Sequence, residues 1–357
     1  MPEYQHVLVT GGAGFAGSRL ALRLKQAMPG ARVSALDNLK RRGSELNLTV
    51  LQDAGIDFIH GDIRSLEDLL SIQPAPDLIV ECSAEASVLA GYGGSPEYLI
   101  RTNLLGCFHC LELARRSRAD FVFVSTSRVY PIETLNGLTY REDPTRYSLT
   151  AEQTVPGASE HGVSERLPLD GVRSLYGMTK LAGELMVQEY AEAYGMRYII
   201  NRCGLLTGPG QMAKSDQGVV ALWVAAHQFG RRLRYIGYGG EGKQVRDFLH
   251  IDDFGDLVLD QLDHMDVYGG RVWNVGGGAS FSLSLQEMTA VCREITGKSI
   301  PVETDTSNRP ADIRIYISDA RAVQAVRGWQ PKRDAVATIS DIHQWMVREQ
   351  TRLSYVL

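Results

Sequence analysis

The chain is 357 residues long, 44% hydrophobic and 22% charged, a composition typical of soluble globular proteins and sufficient for one large or two modest cores. Its formal net charge of −5 argues against a polyanion-binding surface and so against nucleic acid as a partner. No apolar run reaches the roughly 20 residues of a membrane helix, so no membrane partner is expected either.

The N-terminus passes at once into strand-like His6-Val7-Leu8-Val9-Thr10. It shows no basic stretch, apolar core and small-residue cleavage site of a secretory signal, so a cytoplasmic location is expected. The strand breaks into Gly11-Gly12-Ala13-Gly14-Phe15-Ala16-Gly17, and helical periodicity follows over 18–28. A parallel strand, a G-x-x-G-x-x-G turn and a helix form a pyrophosphate cradle. Gly11 permits the tight turn, Gly14 lets backbone approach phosphate, and Gly17 lets helix and strand pack closely. A second strand over 33–36 ends at Asp37, twenty residues after Gly17, where a carboxylate accepts hydrogen bonds from the adenosine ribose. That arrangement favours NAD. Lys40, Arg41 and Arg42 offer the competing reading, a site for the extra phosphate of NADP, which Asp37 would repel.

Further short apolar runs follow at 58–60, 78–82 and 121–125, the third strand leading into Asp62, which is placed to meet the adenine or else to cap the next helix. Helical segments lie between the strands, among them 96–116. The alternation predicts a Rossmann-like α/β fold with a doubly wound parallel sheet. Cys107-Phe108-His109-Cys110 has the outline of a metal half-site, but no second Cys/His pair stands at ligand spacing and the segment keeps helical period. It reads as core packing, and no metal is expected. The five cysteines are odd in number and scattered, which fits a reducing compartment without disulfides.

The strand over 121–125 runs into Ser125-Thr126-Ser127, hydroxyls at a strand's carboxyl end, where such sheets bind ligands. The long stretch from Tyr130 to Tyr176 reads as a flap over a substrate pocket or as an oligomer contact. Ser174-Leu175-Tyr176-Gly177-Met178-Thr179-Lys180 then opens a helix, with four-residue spacing placing Tyr176 and Lys180 on one face. A phenol of ordinary pKa near 10 becomes a base at neutral pH only if its phenolate is stabilised by roughly 4 kcal/mol. A neighbouring ammonium and a nicotinamide ring can supply this, and Thr126 can hydrogen-bond the oxygen that Tyr176 deprotonates. A strand over 197–203 follows, and after Gly208-Pro209-Gly210 the texture turns to glycine clusters and aromatics, with helices near Val219–Phe229, Leu285–Thr296 and 336–348. Residues 1–203 are therefore expected to be mainly the dinucleotide-binding domain. Residues 204–357 are expected to form mainly a smaller substrate-binding lobe, with some C-terminal segments returning to the sheet.

In this order, "TGGAGFAG", "LDN", "GDI", "STSRVY", "YGMTK", "KQVRDFLHIDD" and "NRPADIR" resemble the extended short-chain dehydrogenase/reductases, the NAD-dependent nucleotide-sugar epimerases and dehydratases, over essentially the whole chain. The resemblance implies a tightly bound NAD, a sugar alcohol oxidised at one carbon with Tyr176 taking its proton, and a keto-sugar processed further. Dehydratases of the group carry an Asp-Glu pair directly after the catalytic Thr; here Ser127 and Arg128 stand there, which disfavours loss of water and leaves epimerisation. "DNLKRRGSELNL", "KSDQGVV" and "GYGGEGKQVRDFLH" are similar to the CDP-sugar 2-epimerase branch, implying inversion at carbon 2 of a CDP-sugar. A 4-epimerase on a UDP- or other NDP-sugar is the alternative, and a dinucleotide-sensing module without turnover is the non-enzymatic one.

The same resemblance assigns further cofactor contacts to Phe15, Ala16, Asn38, Arg41, Gly43, Ile63, Ser83, Ala84, Asn103, Ser125 and Cys203. Substrate contacts fall to Glu85, Ser127, Arg128, Gln217, Gly218, Lys243, Gln244, Arg246, Arg309 and Asp312, with Arg246 and Arg309 suited to phosphate oxygens. Glu85 stands where the 2-epimerases carry glutamine, and Leu205 where many 4-epimerases carry asparagine. Asp247, His250 and Asp252 read as structural caps or core-edge contacts rather than as chemistry. Relatives pair two long helices per subunit, implying a homodimer, or a tetramer built from dimers.

Overall fold

A computed structural model describes residues 3–212 and 217–353. The chain forms two compact units, one built from Met1–Thr126, Leu175–Arg202 and Phe254–Trp273, the other from Ser127–Ser174, Cys203–Asp253 and Asn274–Leu357.

The first unit is organised on a seven-stranded sheet, in the spatial order Arg271–Val275, Tyr198–Cys203, Asp120–Thr126, Leu78–Glu81, His6–Thr10, Arg32–Asp37, Asp57–His60. Registers such as Val7↔Val33, Val7↔Leu78 and Leu78↔Asp120 are parallel. His6–Thr10, Leu78–Glu81 and most of Asp120–Thr126 are buried along their whole length, because helices cover both faces. Strand order reverses between His6–Thr10 and Leu78–Glu81, so the carboxyl ends of these two strands open the crevice in which such sheets take a ligand.

Beneath lies one core that includes Leu8, Leu36, Ile63, Leu69, Cys107, Cys110, Leu111, Phe121, Phe123, Val187 and Ile200. Cys107 and Cys110 are thus packing residues, as the helical period implies. The segment 96–116 is helical in three pieces, Glu97–Ile100, a π-helical Arg101–Leu105 and Gly106–Ser117. Helix Leu175–Tyr194 comes unusually close to strand Asp120–Thr126, since a Cβ at Gly183 would stand 2.7 Å from the Phe123 ring. No helix among the described residues is long and apolar enough to cross a membrane.

In the second unit, strand Val245–His250 pairs with Leu205–Thr207 and Ile315–Tyr316 in parallel and with Ser282–Ser284 in antiparallel. Helices Val219–Phe229, Leu285–Thr296 and Ala335–Arg348 complete it. The long segment before Tyr176 is not a structureless loop. It contains helix Ile132–Asn136 and an antiparallel hairpin, Tyr140–Glu142 with Tyr147–Leu149. Tyr147 donates its N–H to the Lys243 carbonyl at 3.1 Å, Arg146 pairs with Glu287 at 3.3 Å, and Ser284 donates its hydroxyl to the Thr145 carbonyl at 2.7 Å. These bonds fix the hairpin to the body of its own unit.

Asp247 is buried here, accepting from the Gly278 N–H at 3.2 Å, while a Cβ at Gly276 would meet its Oδ2 at 2.1 Å. Burial pushes its pKa up to about 6 in spite of that donor. An acid whose folded pKa exceeds the unfolded value of about 3.9 holds its proton more tightly when folded, so its contribution to stability falls as pH rises from about 4 through 6. Relative to Asp247→Asn, the wild type is expected to lose about 2 kcal/mol of unfolding free energy between pH 4.5 and 7. Urea titrations of both proteins at pH 4.5 and 7 check this, and a difference independent of pH would refute it.

Candidate active site

The first strand ends in a loop held by backbone: the Gly12 N–H donates to the Leu36 carbonyl at 2.9 Å and the Gly14 N–H to the Gly11 carbonyl at 3.0 Å. Gly11 has φ +63°, and a Cβ there would press on the backbone of Cys82 and Ser83 at 2.9 Å. A Cβ at Gly17 would lie 2.2 Å from the Gly11 carbonyl oxygen. Only glycines let turn, fourth-strand end and helix Phe15–Ala27 meet this closely. Gly14 caps that helix without any side-chain cap hydrogen bond, and the first N–H groups of a helix are donors suited to phosphate. The loop therefore fits a dinucleotide pyrophosphate.

Asp37 completes the cradle, its Oδ2 accepting from Ala13 N–H at 3.1 Å and its Oδ1 from Leu39 N–H at 2.8 Å. Burial raises its pKa against these donors. Asn38 donates to Asp62 at 2.9 Å, which joins two predicted adenosine contacts. Asp62 is clasped by Arg64, with Nε 3.0 Å from its Oδ1 and a terminal nitrogen 2.6 Å from its Oδ2. Burial opposes ionisation of Asp62, but the Arg64 and Asn38 hydrogen bonds draw its pKa down to about 2. Arg64 and Lys40 stand 4.9 and 5.5 Å from the centre of the Tyr98 ring. Arg64 and Tyr98 were not signalled by any motif. The Gly43 N–H is taken by the Glu45 carboxylate at 2.7 Å, and the Ile63 side chain lies in the core against Gly106. Ser83 and Ala84 follow the fourth strand after Cys82.

Tyr176 and Lys180 lie one turn apart on helix Leu175–Tyr194, both buried, and Thr126 ends strand Asp120–Thr126, also buried. Asn103, in the π-helical turn, donates to the Thr179 hydroxyl and to the Glu85 carbonyl, each at 3.1 Å, and accepts from Glu85 N–H at 2.8 Å. It thus ties the loop after the fourth strand to helix Leu175–Tyr194. A buried network holds the same helix lower down: Glu184 accepts from Arg202 at 2.7–3.1 Å and from the Ser125 hydroxyl, so that hydroxyl braces the helix.

Lys180 has a partner that no motif indicated. Its Nζ lies 3.3 Å from the Glu81 carboxylate and 3.8 Å from the centre of the Phe123 ring, with both charged side chains almost wholly buried. Burial pulls the Lys180 pKa down, but Glu81 and Tyr176 outweigh it and hold the amine above its ordinary value.

The predicted substrate contacts, with Cys203, fall in the second unit, apart from Glu85 in the first. Arg246 is held by the Ile313 carbonyl at 2.6 Å and faces Asp312 at 3.3 Å, which brings two of them together. Arg128 donates to the Ala311 carbonyl at 3.1 Å. Gln244 spends its amide on the Ile236 carbonyl at 2.7 Å, a structural bond, and Lys243 pairs with Glu142 at 2.7 Å and Glu241 at 2.9 Å. Gly218, at φ +76°, caps helix Val219–Phe229 beside Gln217; Arg309 is exposed, Cys203 buried, and Ser127 buried at the start of a short helical turn. Leu205 opens strand Leu205–Thr207. Arg314 lies 4.5 to 5.6 Å from the ring centres of Tyr140, Tyr147 and Tyr238, a cluster that sequence reasoning missed because its members are 174 residues apart at the extremes.

Residues 7–276 match the NAD dependent epimerase/dehydratase family. The chain is 30% identical to a CDP-paratose 2-epimerase of Salmonella typhi, over 95% of this chain and 98% of that protein. It is 29% identical to a dTDP-glucose 4,6-dehydratase of Streptomyces antibioticus, over 95% and 92% of the two chains. Its fold matches a UDP-glucose 4-epimerase of Thermus thermophilus, solved in complex with NAD, with a TM-score of 0.76 and 25% identity over 96% of this chain and 99% of that one. The chain belongs to the NAD-dependent epimerase/dehydratase family of nucleotide-sugar enzymes, and NAD is its cofactor.

Proposed function

We propose that the protein is an epimerase that inverts carbon 2 of a CDP-linked sugar. The observation that carries this reading is the strand end. Thr126 is followed by Ser127 and Arg128, so the chain has the machinery for sugar oxidation without the neighbouring acids that dehydration requires, and Arg128 is engaged with the Ala311 carbonyl. Similarity to a CDP-paratose 2-epimerase supports the choice of carbon and nucleotide.

In this reading NAD supplies the hydride acceptor and later the hydride donor. Tyr176, as phenolate, takes the proton of the carbon-2 alcohol while Thr126 hydrogen-bonds its oxygen, and Tyr176 returns the proton when the carbonyl has presented its other face. Lys180 stabilises the phenolate electrostatically. Gly11, Gly14, Phe15 and Ala16 hold the pyrophosphate and Asp37 the ribose hydroxyls; Arg246, Arg309 and Asp312 orient the substrate diphosphate and sugar. Residues 1–203 thus serve mainly the cofactor and 204–357 mainly the nucleotide-sugar. Exposed Leu105, Phe108, Leu185 and Tyr194 on the two long helices support a homodimer.

Gly17→Ala places a methyl against the Gly11 carbonyl and is expected to release NAD, read as loss of cofactor absorbance from the purified protein. Tyr176→Phe should keep the cofactor and lose about 10²- to 10⁴-fold in kcat; undiminished turnover would remove the phenol from the chemistry. Incubation with CDP-, UDP-, GDP- and dTDP-sugars, followed by NMR of the products, is expected to show inversion at carbon 2 of a CDP-sugar. Inversion at carbon 4 of another nucleotide-sugar would overturn that assignment.

A further inference from the structure

Glu81 ends the fourth strand, level with Thr10 on one neighbouring strand and Phe123 on the other, and is 1% exposed. An ionisable side chain is rarely placed so deep without a partner. Its partner is Lys180, 3.3 Å away across the space between sheet and helix. The other groups facing this pair are the thiols of Cys107 and Cys110 from helix Gly106–Ser117, the Phe123 ring, and Tyr176 one turn before Lys180. Burial pushes both thiols well above their ordinary values, so they stay neutral. Burial raises the Glu81 pKa, and the Lys180 ammonium and the Ser83 N–H act against that rise; the charges that act on Tyr176 within this cluster are those of the Lys180–Glu81 ion pair.

We propose that Glu81 is a positioning residue for the catalytic pair: its carboxylate anchors the Lys180 ammonium over the Phe123 ring and sets the pH at which Tyr176 gives up its proton. The inference rests on the reading of Tyr176 and Lys180 as catalytic. An ammonium alone would lower the pKa of the adjacent phenol strongly. A carboxylate paired with it returns part of that effect, so Tyr176 keeps enough basicity to accept an alcohol proton and enough acidity to shed its own. With Glu81 removed, Lys180 would stay buried beside Tyr176 and the neutral Cys107 thiol, and the ring of Phe123 favours the charged amine. The phenol then ionises at lower pH.

The test is a titration of tyrosinate absorbance in the NAD-loaded protein without substrate, each variant read against the same variant carrying Tyr176→Phe. Glu81→Gln is expected to move the ionisation of Tyr176 down by about one pH unit or more. Glu81→Asp, which keeps the charge but sets it back by a methylene, should move it in the same direction by less. If Glu81→Gln does not fold, Glu81→Asp carries the test. An ionisation that is unchanged or raised in the folded variant overturns the proposal, because a purely structural glutamate would not govern the phenol. A downward shift in a protein that turns over no nucleotide-sugar would support the ion pair's role and refute the catalytic reading instead.

Discussion

Two buried ion pairs on one helix organise the chemistry of this protein. Lys180 meets Glu81 and, four residues on, Glu184 meets Arg202, so helix Leu175–Tyr194 is bound electrostatically to strands Leu78–Glu81 and Tyr198–Cys203. Neither pair is a cheap source of stability, because desolvating two charges offsets most of their attraction. Breaking either by removing one partner costs several kcal/mol, since it leaves a charge without compensation. The consequence is geometric: the helix has one seat on the sheet, and Tyr176 and Lys180 are held at the carboxyl ends of the strands, where the glycine loop is also found. Gly183 makes that seat possible by letting the helix backbone approach the Phe123 ring.

The same economy of space governs the cofactor end. Gly11 and Gly17 are required because turn, helix and fourth strand converge within contact distance, and Asp37 is oriented by loop N–H groups before any ligand arrives. The clasp of Arg64 on Asp62 keeps that carboxylate ionised and fixed, with Tyr98 beside it. Side chains held in place by the fold itself lower the ordering that binding a ligand would otherwise demand.

In the second unit the residues assigned to substrate divide by what their polar atoms already do. Arg246 faces Asp312 and is anchored by the backbone carbonyls of Val245 and Ile313, which fix its guanidinium. Gln244 is occupied with backbone, and its part is to shape the turn at Ile236–Gly237. The hairpin Tyr140–Leu149 contributes two of the three aromatic rings around Arg314, so the long segment before Tyr176 acts as a built element of its unit.

Much was legible in the amino-acid sequence, because it depends on local rules. Strand–turn–helix alternation, the glycine spacing, Asp37 at the end of the second strand and the four-residue interval between Tyr176 and Lys180 are all short-range patterns that backbone geometry translates directly into structure. The order of the motifs along the chain carried the family. What only the tertiary structure decided are pairings between residues far apart: Glu81 with Lys180, Glu184 with Arg202 and Ser125, Asn103 with Thr179, and Arg314 among its tyrosines. No periodicity announces such partners, since a buried charge is chosen to match whatever the fold brings opposite it, and that match exists only once strands and helices have packed.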